Sequence, residues 1–162
     1  MGVTKKFKKN DGVGYKGSVE IGLYRNGRKI KKMTTNAGSV NLFRYLCGCL
    51  AGTINADYNI NERPGKLRLF NNNEQLLTYG IGFNDYKIEQ GGTASNPTCA
   101  ITINFLIPGT VLVNRAVTKV MLLPMSDNKN NWYAEAEFTD TLKVDSKDSN
   151  IYVAWTLTIY NG

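Results

Sequence analysis

Histidine is missing altogether from this chain of 162 residues, and its absence excludes several kinds of chemistry. Histidine is the commonest general base near neutral pH, the proton acceptor of Ser-His-Asp and Cys-His sites, and a frequent zinc ligand. The three cysteines do not replace it, because Cys47 and Cys49 are separated by one residue and Cys99 is distant, which is not a zinc-binding spacing. The sequence therefore predicts no metal, no cofactor and no catalytic residue, and it indicates a protein that is not an enzyme.

Disulfide patterns and long apolar runs are absent as well. An odd number of cysteines fits a reducing compartment, and Cys47 and Cys49 lie in an apolar run, where cysteine is usually a small buried hydrophobic residue. No run approaches the roughly 18 apolar residues of a membrane span, and the N-terminus has no apolar signal core. We therefore expect a soluble protein that is made in the cytosol and has no membrane partner.

Paired carboxylates are the one catalytic arrangement that the composition leaves open. Glu135 and Glu137 share one face of a predicted strand, and Glu89 with Asp85 could meet them, as in a glycosidase with two carboxylates. Two acidic residues on one strand face are also what any half-exposed sheet shows. We therefore interpret these carboxylates as part of a solvated face.

Positive charge is concentrated at the N-terminal end. Residues 1–32 hold ten basic and two acidic residues, a net charge of +8, whereas residues 33–162 have a net charge of −1. The predicted docking residues for a partner are all basic: Lys5, Lys6, Lys8, Lys9, Arg25, Arg28, Lys29, Lys31 and Lys32. Such a cluster suits an acidic protein surface or a nucleic acid. Because the cluster is short, rich in lysine and outside any known nucleic-acid-binding motif, we favour a protein partner.

The stretch around which we expect the fold to form is the last one, residues 151–160. One face of this predicted strand is wholly apolar and consists of Ile151, Val153, Trp155, Leu157 and Ile159. The opposite face is aromatic and rich in threonine and carries no charge. Both faces are therefore expected to be covered, as they are in an inner strand that is paired on both sides.

The beginning of the chain predicts a basic arm and a hairpin. Residues 1–16 are rich in lysine and glycine and have no periodicity, so we expect an arm there, followed by a single domain over residues 17–162. Residues 18–24 alternate apolar and polar side chains, and residues 29–34 can pair with them across Asn26-Gly27. Asn-Gly between two extended runs is the strongest short hairpin signal, because a type I′ turn needs positive φ at both central positions.

The remaining pattern predicts one helix among many short strands. Residues 40–50 have apolar side chains at helical spacing, with Ser39 as a candidate N-cap and Gly52 placed to end the helix. Further strands are predicted at residues 66–70, 75–83, 98–107, 111–113, 116–123, 132–138 and 142–144, with loops at 52–65 and 85–97. This pattern is typical of a mainly β protein: an antiparallel β-sandwich, jelly-roll-like in outline, with one inserted helix.

Several of these features follow one another in a recognisable order within residues 19–70: the hairpin Leu23-Tyr24-Arg25-Asn26-Gly27, then Asn36-Ala37-Gly38, then Leu42-Phe43-Arg44-Tyr45-Leu46, and Arg63-Pro64 before a run of strands. This order resembles that of small virion proteins of tailed bacteriophages, especially of the crAss-like group. The resemblance implies a β-sandwich component of a virion, such as a head fibre, a capsid decoration or a tail-associated subunit. It implies other virion proteins as partners, several copies per particle, and no catalytic residue.

The sequence thus predicts a structural subunit of a bacteriophage virion that docks through its basic N-terminal end and forms a trimer or a larger homo-oligomer. Two alternatives remain open. A glycan-binding module would use Trp132, Tyr133 and Tyr79 as stacking platforms, and a nucleic-acid-binding module would use the basic end.

Overall fold

The computed structural model describes residues 13–37, 42, 45, 63–80, 86–126 and 132–161. Within these ranges the chain forms nine β-strands in two antiparallel sheets. The strands are β1 (Val13–Arg25), β2 (Arg28–Asn36), β3 (Pro64–Asn71), β4 (Glu74–Gly80), β5 (Tyr86–Gly92), β6 (Pro97–Ile107), β7 (Ala116–Pro124), β8 (Ala134–Lys143) and β9 (Asn150–Asn161).

The two sheets have the strand orders β2-β1-β9-β6-β5 and β4-β3-β7-β8. Four successive strand pairs alternate between the sheets, and β9 then returns to the middle of the first sheet. Buried apolar side chains of both sheets form one core, which confirms the mainly β class and gives a β-sandwich-like arrangement. Leu42 and Tyr45 are buried in this core, but the rest of the helix predicted at residues 40–50 lies outside the described residues.

Strand β9 holds the five-stranded sheet together, as the sequence predicts. It pairs with β1 on one side and with β6 on the other, and Trp155 lies between Val19 and Ile103. Only 1% of the Trp155 side chain is exposed, and Val153 and Leu157 on the same face are also buried. The terminal strand is therefore an inner strand whose apolar face forms part of the core.

The beginning of β1 overlaps the predicted basic arm. Backbone pairing between β1 and β9 extends from Tyr24 opposite Asn150 to Val13 opposite Asn161. Residues 13–16, which the sequence assigns to the arm, therefore belong to the sheet. Residues 1–12 lie outside the described part of the chain.

The prediction of a loop at residues 85–97 is wrong over most of its length, because Tyr86–Gly92 forms strand β5. The sequence pattern is weak there, since six of the seven strand residues are exposed and no continuous apolar face marks the strand. Pairing with the backbone of β6, from Tyr86 opposite Ile103 to Gly92 opposite Pro97, forms the strand instead. The remaining turn consists of residues 93–96.

The prediction of a strand at residues 111–113 is also wrong. Gly109–Val111 forms a short 3-10 turn, and the N–H of Arg115 then donates to the carbonyl of Leu112. Asn114 has a φ of 64°, which closes the turn. The β-propensity of two valines favoured a strand, but the local backbone bonds form a turn. Residues 142–143 belong to the end of β8 and do not form a separate strand.

Candidate docking surface

The basic hairpin, which we define as residues 25–32, joins β1 to β2 at one edge of the five-stranded sheet. Arg25 pairs with Arg28, and Asn26 and Gly27 between them have φ values of 51° and 74°. Positive φ at both central positions is what a type I′ turn requires, so the predicted hairpin is confirmed. The turn brings the basic residues of two strands to one end of the sheet.

A β-bulge then changes the direction of the lysines on β2. Ile21 pairs with Met33 and Leu23 pairs with Ile30, so Lys31 and Lys32 together lie opposite the single residue Gly22. Lys31 has a φ of 50°, a left-handed conformation that is rare for a lysine in a strand. Bulges re-aim side chains at sheet edges, and here the bulge lets Lys31 reach an acidic residue outside the sheet.

That acidic residue is Asp145, in the connection between β8 and β9. Lys31 Nζ donates to Asp145 Oδ2 at 2.6 Å, and Arg25 Nη2 donates to Asp145 Oδ1 at 2.9 Å. Arg25 Nε donates to the hydroxyl of Ser149 at 2.6 Å, and Ser149 is completely buried. The hydrogen bond from Lys31, more than any other contact, lowers the pKa of Asp145 from its ordinary value. These contacts tie the basic hairpin to the body of the protein.

Lys29 is neutralised on the outer face of the same sheet. Its Nζ lies 3.5 Å from Glu20 Oε1 and 4.7 Å from the centre of the Tyr152 ring. The Tyr152 hydroxyl donates to the same Glu20 oxygen at 2.9 Å, and burial, followed by this contact, raises the pKa of Tyr152. The ring lies across Gly22, where a Cβ would be only 2.7 Å from it. Glycine at position 22 therefore makes room for this cluster.

Two cations of the basic hairpin have no acidic partner among the described residues. Arg28 and Lys32 are exposed, and no described residue forms an ion pair with either. The structure thus brings five of the nine predicted docking residues together, and three of those five are bound within the chain. Lys5, Lys6, Lys8 and Lys9 lie outside the described residues.

A shallow depression borders the hairpin on the outer face of the five-stranded sheet. It is lined by Tyr24, Lys29, Asn104, Leu106 and Tyr152. Leu106, next to the end of β6, is 50% exposed, a large fraction for a leucine in a strand. Tyrosine and apolar side chains next to a cation are typical of protein–protein interfaces. The sequence carries a signal for this surface, because Leu106 is an apolar residue at an outward-facing position of β6.

The aromatic residues suggested for glycan binding do not form an exposed platform. Alternation along the strand predicted at residues 132–138 places Tyr133 outward, beside Glu135 and Glu137. In the structure Tyr133 is only 8% exposed, and its ring lies 5.2 Å from that of Tyr45. Its N–H donates to Leu122, and its carbonyl accepts from Leu42. The outward placement of Tyr133 is therefore wrong, because its backbone bonds to β7 draw it into the core. Tyr79 and Trp132 are half-buried.

The carboxylates considered for glycoside hydrolysis are on different sheets. Glu89 belongs to β5 and pairs with Lys87 at 2.6 Å. Glu135 belongs to β8 in the other sheet, where it lies 3.6 Å from Lys119, and Glu137 on the same strand is exposed. Each group is solvated on its own sheet, so the structure does not bring them together. Asp85 lies outside the described residues.

Within the described ranges, no three potential metal-ligating side chains converge. Cys99 is a free, half-buried thiol, whereas Cys47 and Cys49 lie outside these ranges. None of the helical segments that the structure describes is long and apolar enough to cross a membrane.

The contact between Asp145 and the basic hairpin is expected to weaken in acid. Because folding lowers the pKa of Asp145, its contribution to stability is complete above the unfolded pKa of about 3.9 and is lost as the pH falls through the folded value. We expect Asp145→Asn to lower the melting temperature slightly at pH 7, but not at a pH below the folded pKa of Asp145, as measured by thermal unfolding. Asp148→Asn is the matched control, since no described residue forms an ion pair with Asp148. Equal effects of the two variants would contradict the assignment.

Comparison with models of protein families, with curated proteins and with solved structures gives no match. The fold and the site define a class all the same: a β-sandwich-like protein with an anchored basic hairpin at one edge. The relation to bacteriophage virion proteins stays a prediction from residues 19–70.

Proposed function

We propose that this protein is a non-enzymatic structural subunit of a bacteriophage virion, such as a head fibre, a capsid decoration or a tail-associated protein. It docks to an acidic surface of another virion protein through its basic N-terminal end and is present as a trimer or a larger homo-oligomer. The jelly-roll-like outline, the helix at residues 40–50 and the basic arm are parts of this proposal. The observation that carries it is the exposure of Arg28 and Lys32 on a hairpin that is anchored to the body.

Anchoring makes the basic hairpin suitable for docking. Arg25 reaches the buried Ser149 and the carboxylate of Asp145, and Lys31 reaches the other oxygen of Asp145. A hairpin held in this way loses little conformational entropy when a partner binds. Arg28 and Lys32 then present their charges in a defined position, and an acidic partner gains specificity and association rate from them.

The distribution of charge favours a protein partner over a nucleic acid. Asp145 and Glu20 already neutralise three of the five hairpin cations. Affinity for nucleic acid rises with the number of phosphates that a protein neutralises, and the two remaining cations of the hairpin contribute little to such a surface without the lysines of residues 1–9. A protein interface needs fewer charges and more apolar contact, and the exposed Leu106 and the neighbouring Tyr24 offer that contact.

Deletion of residues 1–9 is expected to leave the body folded and to abolish incorporation into the particle. The deletion ends before β1, so all described backbone pairs between β1 and β9 remain. Thermal unfolding should give an unchanged melting temperature, and co-sedimentation with assembled particles should be lost. The variant in which Lys5, Lys6, Lys8 and Lys9 are replaced by glutamine should behave in the same way, because it removes the charge at constant length.

The matched control replaces Lys143 and Lys147, which are exposed lysines near the β8–β9 connection, by glutamine. This control should be incorporated normally. Normal incorporation of the deletion variant would contradict a docking role for the arm. Tight binding of the full chain to duplex DNA, with an affinity that falls steeply with salt, would instead favour the nucleic-acid alternative.

A further inference from the structure

Strand β5 forms the edge of the five-stranded sheet opposite to the basic hairpin. Among the described strands it pairs only with β6, and six of its seven residues are exposed. Ile88, in its middle, is 66% exposed, more than Leu106 or Val111. An edge strand with an exposed branched apolar residue is a template for pairing with another strand.

The other described edges are protected or already in contact. Strand β2 has a bulge and carries only positive charges, so a second β2 would meet like charges. Strand β8 lies next to β2 within the same chain. Strand β4 has a bulge at Leu76, and its one charged residue, Glu74, already pairs with Arg115 at 3.4 Å. Bulges and like charges are the usual means by which proteins prevent edge pairing, and β5 lacks both.

The charges of β5 are complementary to those of a second, antiparallel β5 strand. Lys87 and Glu89 flank Ile88, and both point to the outer face, where their charged atoms lie 2.6 Å apart. In an antiparallel pair centred on Ile88, Lys87 of each copy would lie opposite Glu89 of the other, and the two isoleucines would lie opposite each other on the inner face. A two-fold axis makes both charge pairs identical.

We propose that β5 is a dimerisation strand: it pairs antiparallel with β5 of a second copy around a two-fold axis at Ile88. The two five-stranded sheets then form one continuous sheet of ten strands.

An apolar cleft supports this assignment. Ile88, Ile101 and Trp155 line a cleft of about 230 Å³ between the two sheets, and Ile88 is the most exposed of the three. Pairing of β5 brings a second isoleucine against Ile88 at this point. The dimer therefore removes from water an apolar residue that the single chain leaves exposed.

The dimer does not rest on the proposed function, because β5 and the basic hairpin are at opposite edges of one sheet. Loss of dimerisation would leave hairpin docking intact, and failure of docking would leave the dimer intact. A two-fold contact requires an even number of copies in any closed assembly. Of the assemblies named in the proposed function, a larger one such as a hexamer contains this pairing, and a trimer alone would exclude it.

The test is the mass of the full chain in solution, measured by sedimentation equilibrium, with charge-reversal variants. The native chain is expected to dimerise. Lys87→Glu and Glu89→Lys each place like charges opposite each other at both pairs, and each should weaken dimerisation about tenfold or more. An equimolar mixture of the two single variants should form heterodimers, and the double variant with both changes should dimerise like the native chain.

Restored dimerisation in the mixture and in the double variant would show that the single variants act on strand pairing and not on the fold of each copy. Far-UV circular dichroism of each single variant should match that of the native chain. A monomer at all concentrations, or a dimer indifferent to both single changes, would overturn the proposal. If the single variants dimerise weakly and neither the mixture nor the double variant restores dimerisation, this register of the β5 pair is wrong.

Discussion

Replacement of Trp155 by alanine is expected to lower the free energy of unfolding by about 3–5 kcal/mol, the range typical of large-to-small changes in a core. Trp155 is 1% exposed and lies on the central strand, between Val19 on β1 and Ile103 on β6. Removal of the indole enlarges the cleft that Trp155 already lines, so the loss of packing adds to the loss of apolar burial. Because a single domain is stable by only about 5–15 kcal/mol, this is a large fraction of the total.

Urea-induced and thermal unfolding measure this effect. At roughly 2–4 °C per kcal/mol for a chain of this size, the melting temperature should fall by about 6–20 °C. Thr158→Ala is the matched control, since Thr158 is on the same strand, points to the opposite face and is half-buried. A loss for Trp155→Ala no larger than that of the control would show that the apolar face of β9 is not the centre of the core.

Features whose cause is local could be predicted from the sequence. The type I′ turn follows from the preference of Asn26 and Gly27 for positive φ, and both adopt it. Strand β9 follows from strict alternation over ten residues, which no other regular structure accommodates. In both cases neighbouring residues hold the information, so no knowledge of the rest of the chain is needed.

Features that depend on distant parts of the chain could not be predicted. Strand β5 has too few apolar residues to show a period and forms because β6 offers its backbone. The anchor of the basic hairpin joins Arg25 to residues more than 100 positions away, at Asp145 and Ser149. Nothing near Arg25 in the sequence indicates these partners. The sequence alone therefore predicts free docking charges at cations that the fold neutralises.

The anchor in turn depends on a close backbone approach at Gly109, which is buried next to the β8–β9 connection. A Cβ at this position would lie 1.8 Å from the carbonyl oxygen of Ser149 and 3.1 Å from that of Lys147. Both obstacles are backbone atoms, which cannot rotate away as the end of a side chain can. Gly109→Ala must therefore move the segment that presents Ser149 and Asp145 to Arg25.

We expect Gly109→Ala to lower the free energy of unfolding by about 2–3 kcal/mol, as overpacking in a well-packed region does. The displaced segment should also release the hairpin, so that backbone amides of residues 28–32 exchange hydrogen faster than in the native protein. Gly80→Ala is the matched control, because the nearest atom to its Cβ would be a side-chain carbon of Lys66 at 3.7 Å, an ordinary contact. Loss of stability without faster exchange in the hairpin would mean that Arg25 holds the hairpin independently of this segment. No loss of stability would mean that the backbone of residues 147–149 shifts at little cost in free energy. The anchor would then not be the rigid element on which docking through Arg28 and Lys32 depends.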